Sequence, residues 1–264
     1  MKVILIGDAC LDVFVEGECY RLSPEAPVAV LNPTRETVTG GMGCNVLANL
    51  ESLAPNMVVD ALLPNYKPRK IRYVDRKTSH HFVRVDEPDA AMPISAGHLF
   101  QSLYLGPPDA FLISDYAKGA VTEELIASVG EYCREGLIPW FLDTKRILGP
   151  WAKGAILKIN RLELETNLSA GVRPWEHVSA CIVTNGALGM DLYGPSGEIS
   201  HHVQGPVVEV RDGAGCGDTV LAALVVAYLE NGFDLKGAMA WADKAGRVAV
   251  SKRGVVAVRR EEVR

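Results

Sequence analysis

The stretch richest in chemistry is Asp212-Gly213-Ala214-Gly215-Cys216-Gly217-Asp218, which leads straight into an apolar helical pattern over 218–230. Closely spaced glycines let a backbone approach a ligand, and their N–H groups can point together at an anion. The start of a helix adds unpaired N–H donors and the positive end of the macrodipole. A carboxylate at that spot, Asp218, could take a proton from a hydroxyl while the neighbouring N–H groups stabilise charge developing on a transferring phosphoryl group. The same residues also read as a plain glycine turn with Asp218 as a helix cap. A Walker loop is excluded, because GxxxxGK[ST] does not occur. A dinucleotide fingerprint is excluded too, because no complete strand–helix–strand unit follows.

Short apolar runs must position this loop. Strands are expected at 3–6, 110–114, 137–142, 155–159 and 181–184. Helical patterns lie between them, so the chain reads as α/β with a mostly parallel sheet. One helix starts at Thr122 as N-cap, has Glu123 and Glu124 in its first turn and is stopped by Gly136. Another runs over 218–230, with a stripe through Val220, Leu221, Leu224, Val225, Tyr228 and Leu229, and a third over 235–251. Each of the five strands delivers polar residues or glycine at its carboxyl end: Gly7-Asp8, Asp115 to Gly119, Asp143 to Lys145, Asn160 with Glu163, and Asn185-Gly186. Ligands of open α/β sheets bind at those ends. Any one of these residues could be a turn residue; together they imply a polyanionic ligand with a metal.

Two segments break the rhythm. Residues 12–38 contain short β-like pieces at 13–15 and 28–31, and 69–86 reads as a hairpin of 70–74 and 81–85. They are either surface decoration or a small β lid over the functional edge of the sheet. His80 and His81 form no metal set and read as lid surface, and His201 and His202 have the same standing.

With 48% hydrophobic and 22% charged residues the chain is a globular protein, which removes disordered and collagen-like readings. The net charge of −5 argues against a protein that grips a nucleic-acid backbone in bulk, while leaving room for a small anionic ligand. The N-terminal apolar run stops at Gly7-Asp8, far short of the roughly 18–20 residues of a membrane span. The six cysteines are scattered, without a CxxC pair, and read as reduced thiols of a cytoplasmic protein.

The glycine-rich stretch resembles the DxxGAGD signature of the ribokinase-like (PfkB) carbohydrate kinases, and other marks of that family follow in order. They are Gly7-Asp8 with Asp12, Gly40-Gly41-Met42-Gly43-Cys44-Asn45 opening a helix, Asn160-Arg161-Leu162-Glu163 as NxxE, and Val183-Thr184-Asn185-Gly186-Ala187-Leu188-Gly189 as VTxGxxG. Narrower still, four stretches are similar to the heptose-7-phosphate kinase domain of lipopolysaccharide-heptose synthesis. These are Gly7 to Asp12, Arg21-Leu22-Ser23-Pro24-Glu25-Ala26-Pro27, Ser114-Asp115-Tyr116-Ala117-Lys118-Gly119, and Lys70 to Val74 with Arg84-Val85-Asp86.

The resemblance implies a three-layer α/β/α fold with a mostly parallel central sheet and a small β lid, the whole of 1–264 forming one kinase domain with its lid at about 12–38 and 69–86. It implies transfer of the ATP γ-phosphoryl group to a sugar-phosphate hydroxyl, with heptose 7-phosphate going to heptose 1,7-bisphosphate. Asp218 is then the general base, and the N–H groups of Gly215, Cys216 and Gly217 form the anion hole. Asn160 and Glu163 hold Mg²⁺ through water, or are a loop Asn and a helix-start Glu. Thr184, Gly186 and Gly189 line the nucleotide phosphates, and Lys252 and Gly254 border the adenine. Asp12, Gly41 and Asn45 bind sugar hydroxyls, and Arg84 and Asp115 contribute to the sugar site. A homodimer through the lid is expected. The nucleotidyltransferase domain of bifunctional members is expected to be absent.

Two departures stand out. Family members carry a strand–helix–strand stretch where this chain has only 53–67, and Cys216 stands where Ala is usual, so an acidic, alkylation-prone thiol is expected at the helix start. The alternatives are a kinase of the same fold acting on another sugar or a nucleoside, and a non-catalytic sugar-phosphate-binding regulator.

Overall fold

Uncharged apolar runs such as 3–6 and 110–113 have no face to offer water, so they belong in the middle of a sheet covered on both sides. The computed structural model, which describes residues 1–78, 80–89, 91–104 and 106–263, places them there. Its strands are β1 (Lys2–Gly7), β2 (Ala9–Leu22), β3 (Ala29–Met42), β4 (Val58–Leu62), β5 (Arg69–Asp75) and β6 (His81–Asp86) in the first part. Then come β7 (Ala110–Asp115), β8 (Trp140–Thr144), β9 (Ile156–Asn160), β10 (Ala180–Thr184), β11 (Met190–Tyr193) and β12 (Ile199–Val203). The main sheet has eight strands in the order β12-β11-β10-β9-β8-β7-β1-β4. It is parallel apart from the β11–β12 hairpin at one edge.

Alternate residues of each strand serve opposite faces. Val3 and Leu5 pack with α1 (Gly43–Leu53), α5 (Cys216–Glu230) and α6 (Leu235–Val250). Ile4 and Ile6 pack with α2 (Ala96–Tyr104), α3 (Glu123–Gly136) and α4 (Arg161–Ser169). Two cores on one sheet make the three-layer α/β/α fold.

A second sheet, β3-β2-β5-β6, comes from the two segments that broke the pattern. The short pieces expected at 13–15 and 28–31 belong to two 14-residue strands, β2 and β3, paired antiparallel; β5 then joins β2 in parallel. The chain leaves β1 at Asp8, runs out along β2 and returns along β3 into α1, which sets the base of this small sheet beside the carboxyl ends of the main one.

Several boundaries move. Thr122 caps α3 as expected, its side chain accepting from Leu125 N–H, but Gly136 is still helical and Leu137 makes the left-handed turn (φ 54°). That turn delays β8 to Trp140. α5 begins two residues earlier than the pattern implied, at Cys216, because Gly215 (φ 75°) is its N-cap. Asp218 is therefore inside the first turn. Nor is α5 a striped helix: residues 218–227 are buried all round, between the sheet and the neighbouring helices α1 and α6.

Candidate active site

Buried carboxylates at the strand ends first of all fold the loops. Asp8, wholly buried, accepts the N–H groups of Tyr116 (2.8 Å), Lys118 (3.1 Å) and Ala120 (3.0 Å), and so pulls the loop after β7 into shape. Burial raises its pKa against those three hydrogen bonds. Asp115 is tied to Thr144 Oγ1 (2.6 Å), Arg146 Nε (2.8 Å) and Ala117 N–H (2.9 Å). It lines neither of the cavities described below, so its expected place in the sugar site is corrected: it holds the loop.

Asp218 stands at the start of α5, 3% exposed. Tyr116 Oη donates to its Oδ1 at 2.7 Å and Asn45 Nδ2 to its Oδ2 at 3.1 Å. Burial pushes the carboxyl up to about 6, while the bonds from Asn45 and Tyr116 pull it down. Asn45, expected to touch sugar hydroxyls, instead holds this carboxylate and also donates to Gly215 C=O (3.1 Å). Gly215 can be nothing else: its φ is positive, and a Cβ there would meet Asn45 Nδ2 at 2.5 Å.

Two cavities meet here. The larger, about 530 Å³, is lined by Asn160, Thr184, Gly186 and Gly189 on one side and by Gly215, Cys216 and Gly217 on the other. Val208, Val210, Gly246, Arg247 and Val250 also line it. The smaller, about 320 Å³, lies under the lid and is lined by Cys10, Asp12, Met42, Lys70, Arg72, Arg84, Asp86, Lys118 and Asp218, among others. Tyr116 and Gly215 line both. Four cations face the smaller one. Lys70 (3.6 Å) and Arg84 (2.7 Å) are paired with Asp86, Arg72 with Asp12, and Lys118 with Asp89 (2.7 Å). Gly41 lies just behind: a Cβ there would fall on the Asp12 carboxylate, so glycine at 41 makes room for Asp12 in the cavity.

Lys252 and Gly254 do not line the larger cavity. Lys252 is bound to Glu262 (2.6 Å), and Gly254 N–H donates to Asp212 Oδ2 (3.1 Å), bracing the glycine-rich loop from behind. Val208, Val210, Val250 and Arg247 line that cavity instead. The expected acidic thiol at Cys216 is corrected: burial raises its pKa, with Lys158 pulling the other way, and Sγ lies 3.6 Å from Gly246 C=O.

Sequence reasoning set Tyr116, Asp143 and Lys145 at strand ends without giving any of them a role, and passed over Lys158. Lys158 is buried against Asp143, and a Cβ on Gly217 would lie 3.2 Å from its Nζ. The positive end of α5 thus has an ammonium beside it. Lys145 Nζ pairs with Glu163 and lies 3.5 Å from Asp143 Oδ1 and 5.0 Å from the centre of the Tyr116 ring. Burial works against its charge, but Asp143 and Glu163 outweigh that and raise its pKa. Tyr116, Asp143 and Lys145 lie at or beside strand ends, which was the one signal available; Lys158 is in the middle of β9 and carried none.

The Asn160–Glu163 pair is a capping box. Glu163 N–H donates to Asn160 Oδ1 (2.9 Å), and Asn160 N–H to Glu163 Oε2 (2.8 Å). No group of three metal-binding side chains occurs among the described residues. The donor set nevertheless suits a hard cation: its atoms are oxygens, an ammonium already sits on Glu163, and the nearby Asp143 Oδ1 is buried without a hydrogen bond.

Comparisons with known proteins give the family. The model of the pfkB family carbohydrate kinases matches residues 67–261. The bifunctional protein HldE of Hyphomonas neptunium is 33% identical over 309 aligned positions, covering 100% of this chain but 63% of the relative. That of a Rhodopseudomonas palustris strain is 32% identical, covering 99% and 62%. The chain thus spans less than two thirds of these relatives. Among solved structures, phosphofructokinase-2 of Escherichia coli superposes with TM-score 0.76 at 16% identity, covering 99% of this chain and 96% of that one. The ribokinase of Thermotoga maritima gives 0.71 at 17%, covering 99% and 97%. The chain belongs to the pfkB family of carbohydrate kinases, phosphotransferases that act on sugar hydroxyls, and has their ribokinase-like fold.

Proposed function

We propose that this kinase transfers the γ-phosphoryl group of ATP to a hydroxyl of a phosphorylated sugar, with heptose 7-phosphate, going to heptose 1,7-bisphosphate, as its substrate. The observation that carries the reading is the pair of cavities meeting at Tyr116 and Gly215, the one under the lid lined by Asp218 and by four cations. Four ammonium and guanidinium groups suit a substrate that brings its own phosphate. The heptose assignment draws its support from the Ser114 to Gly119 and Arg21 to Pro27 stretches and from the identity to the HldE proteins.

In this mechanism ATP occupies the larger cavity, its base among Val208, Val210 and Val250 and its phosphates toward Gly186, Gly189 and the start of α5. The sugar lies under the lid, where Asp12 orients its hydroxyls and Arg72, Arg84 and Lys118 hold its phosphate. Asp218 takes the proton of the attacking hydroxyl. The N–H groups of Gly215, Cys216 and Gly217, with Lys158 beside them, stabilise the oxygens of the group in flight. Asn160 and Glu163 would hold Mg²⁺, which when bound neutralises phosphate charge. The free cysteines are consistent with a cytoplasmic setting. The exposed apolar residues of β6 (Phe82, Val83, Val85) support a homodimer through the lid.

The test is ATP turnover with Mg²⁺ against a panel of sugars and sugar phosphates, beside Asp218→Asn. Turnover that depends on a sugar phosphate and drops at least ~10²-fold in the variant is expected. Protein that binds ATP or a sugar phosphate but turns over nothing would refute the catalytic reading.

A further inference from the structure

Tyr116 is held at three points, and no part of the reaction described so far uses it. Its N–H is bound by the buried Asp8 (2.8 Å), its ring has the Lys145 ammonium 5.0 Å from its centre, and its hydroxyl donates to Asp218 Oδ1 (2.7 Å). It lines both cavities, at the seam where the two substrates would meet. We propose that Tyr116 is the positioning residue of this site: its hydroxyl fixes the plane of the Asp218 carboxylate between the cavities and keeps it ionised to receive a proton. The inference rests on the reading of Asp218 as the base.

The physical case is one of stoichiometry. A carboxylate has about four lone-pair positions, and Asp218 gives one on each oxygen to a fixed donor, Asn45 on one side and Tyr116 on the other. Two donors from different elements, α1 and the loop after β7, prevent the group from rotating while leaving lone pairs for a sugar hydroxyl. They also favour the charged form in a place where burial disfavours it. The charged and titratable groups facing Asp218 are Asp143, Lys145, Lys158, Cys10 and Cys216, and in the smaller cavity Asp12, Lys70, Arg72, Arg84, Asp86 and Lys118. Asp143 opposes its ionisation and Lys158 favours it. The phenol stays a donor throughout, because burial and then the charges of Asp218 and Asp143 hold its own pKa well above the ordinary value.

Tyr116→Phe removes one donor and keeps the ring against Lys145. The first measurement is the ¹³C-carboxyl titration of Asp218 in the ligand-free protein, the resonance being assigned by its loss in Asp218→Asn. The midpoint is expected to rise by about one pH unit in Tyr116→Phe, the scale of one lost hydrogen bond to a charged group. An unmoved midpoint overturns the inference. The second is the pH profile of kcat/KM for both proteins. The acid limb is expected to follow the titration, so that Tyr116→Phe loses about tenfold more rate than the parent at acid pH than at pH 8. A sugar phosphate also titrates near pH 6, but its limb is common to both proteins and cannot move between them. A midpoint that rises while the acid limb stays put refutes Asp218 as the base, a failure of the underlying reading distinct from that of the hydrogen bond.

Discussion

Burial raises the Asp218 carboxyl to about 6, so its charge changes within the range where an enzyme of this kind works. The sign follows from the role: the base must be ionised, and it is protonated below that value. Sugar-dependent kcat/KM is expected to be level near pH 8 and to fall about tenfold per pH unit below about 6. A profile flat from pH 5 to 8 would contradict the assignment. Asp8 illustrates the other use of a buried carboxylate. With three backbone N–H groups on it, Asp8→Ala leaves donors without partners and should cost about 3 kcal/mol of stability, read from the denaturant midpoint. Asp8, Asp12, Asp115 and Asp143 lie at or beside strand ends in the sequence and Asp218 at a helix start, and nothing in the residue type separates the ones that shape loops from the one proposed to take a proton. Which N–H groups lie within reach decides it, and those come from other segments of the chain.

At the scale of elements, α4 joins structure and chemistry in one pair of residues. The Asn160–Glu163 capping box starts the helix, and the same carboxylate holds Lys145. Glu163→Ala should destabilise the protein by about 1 kcal/mol and also raise the Mg²⁺ concentration needed for half-maximal turnover. Glu163→Gln retains the reach to Asn160 and should leave the melting midpoint nearly unchanged while still raising the metal requirement. Equal metal curves for Glu163→Gln and the parent would confine Glu163 to helix capping. The elements that the sequence concealed are those with weak patterns. β4 is a half-buried edge strand, and β11 and β12 are short and partly exposed. α4, Arg161-Leu162-Glu163-Leu164-Glu165-Thr166-Asn167-Leu168-Ser169, buries only Leu164 and Asn167, too little for a stripe. By contrast Thr122 with Glu123 and Glu124 announced α3, because a cap is a local device.

Over the whole molecule, the main sheet and α5 carry the groups proposed for phosphoryl transfer and the lid carries three of the four cations, Lys70, Arg72 and Arg84, and the lid reaches the site only because β2 and β3 enter and leave at the foot of β1. Its outer strand β6 is exposed along its length. An unpaired edge with Phe82, Val83 and Val85 on it is a surface suited to a second copy. Sedimentation at micromolar concentration is expected to give twice the chain mass, and Val83→Glu with Val85→Glu to give the monomer. A parent that sediments as a monomer at all concentrations would rule the lid dimer out. The relatives align over 309 positions against 264 residues here, so they carry insertions that this chain lacks. On the described side of β1 the sheet ends with the single strand β4.

What the sequence determined by itself was whatever is written in consecutive residues: the apolar runs of the central strands, the Thr122 cap, the glycine-rich loop with Asp218, and the order of motifs that marks the family. Backbone conformation and burial of a run depend on its own residue types, so they can be read locally. Only the tertiary structure decided that Tyr116 reaches Asp218 across 102 positions, that Asn45 holds the Asp218 carboxylate, and that Asp115 and Lys252 lie outside the cavity walls. Those outcomes depend on which groups from distant segments converge on one buried atom. A buried carboxylate takes the donors that folding brings to it, and residue type alone does not say which they are.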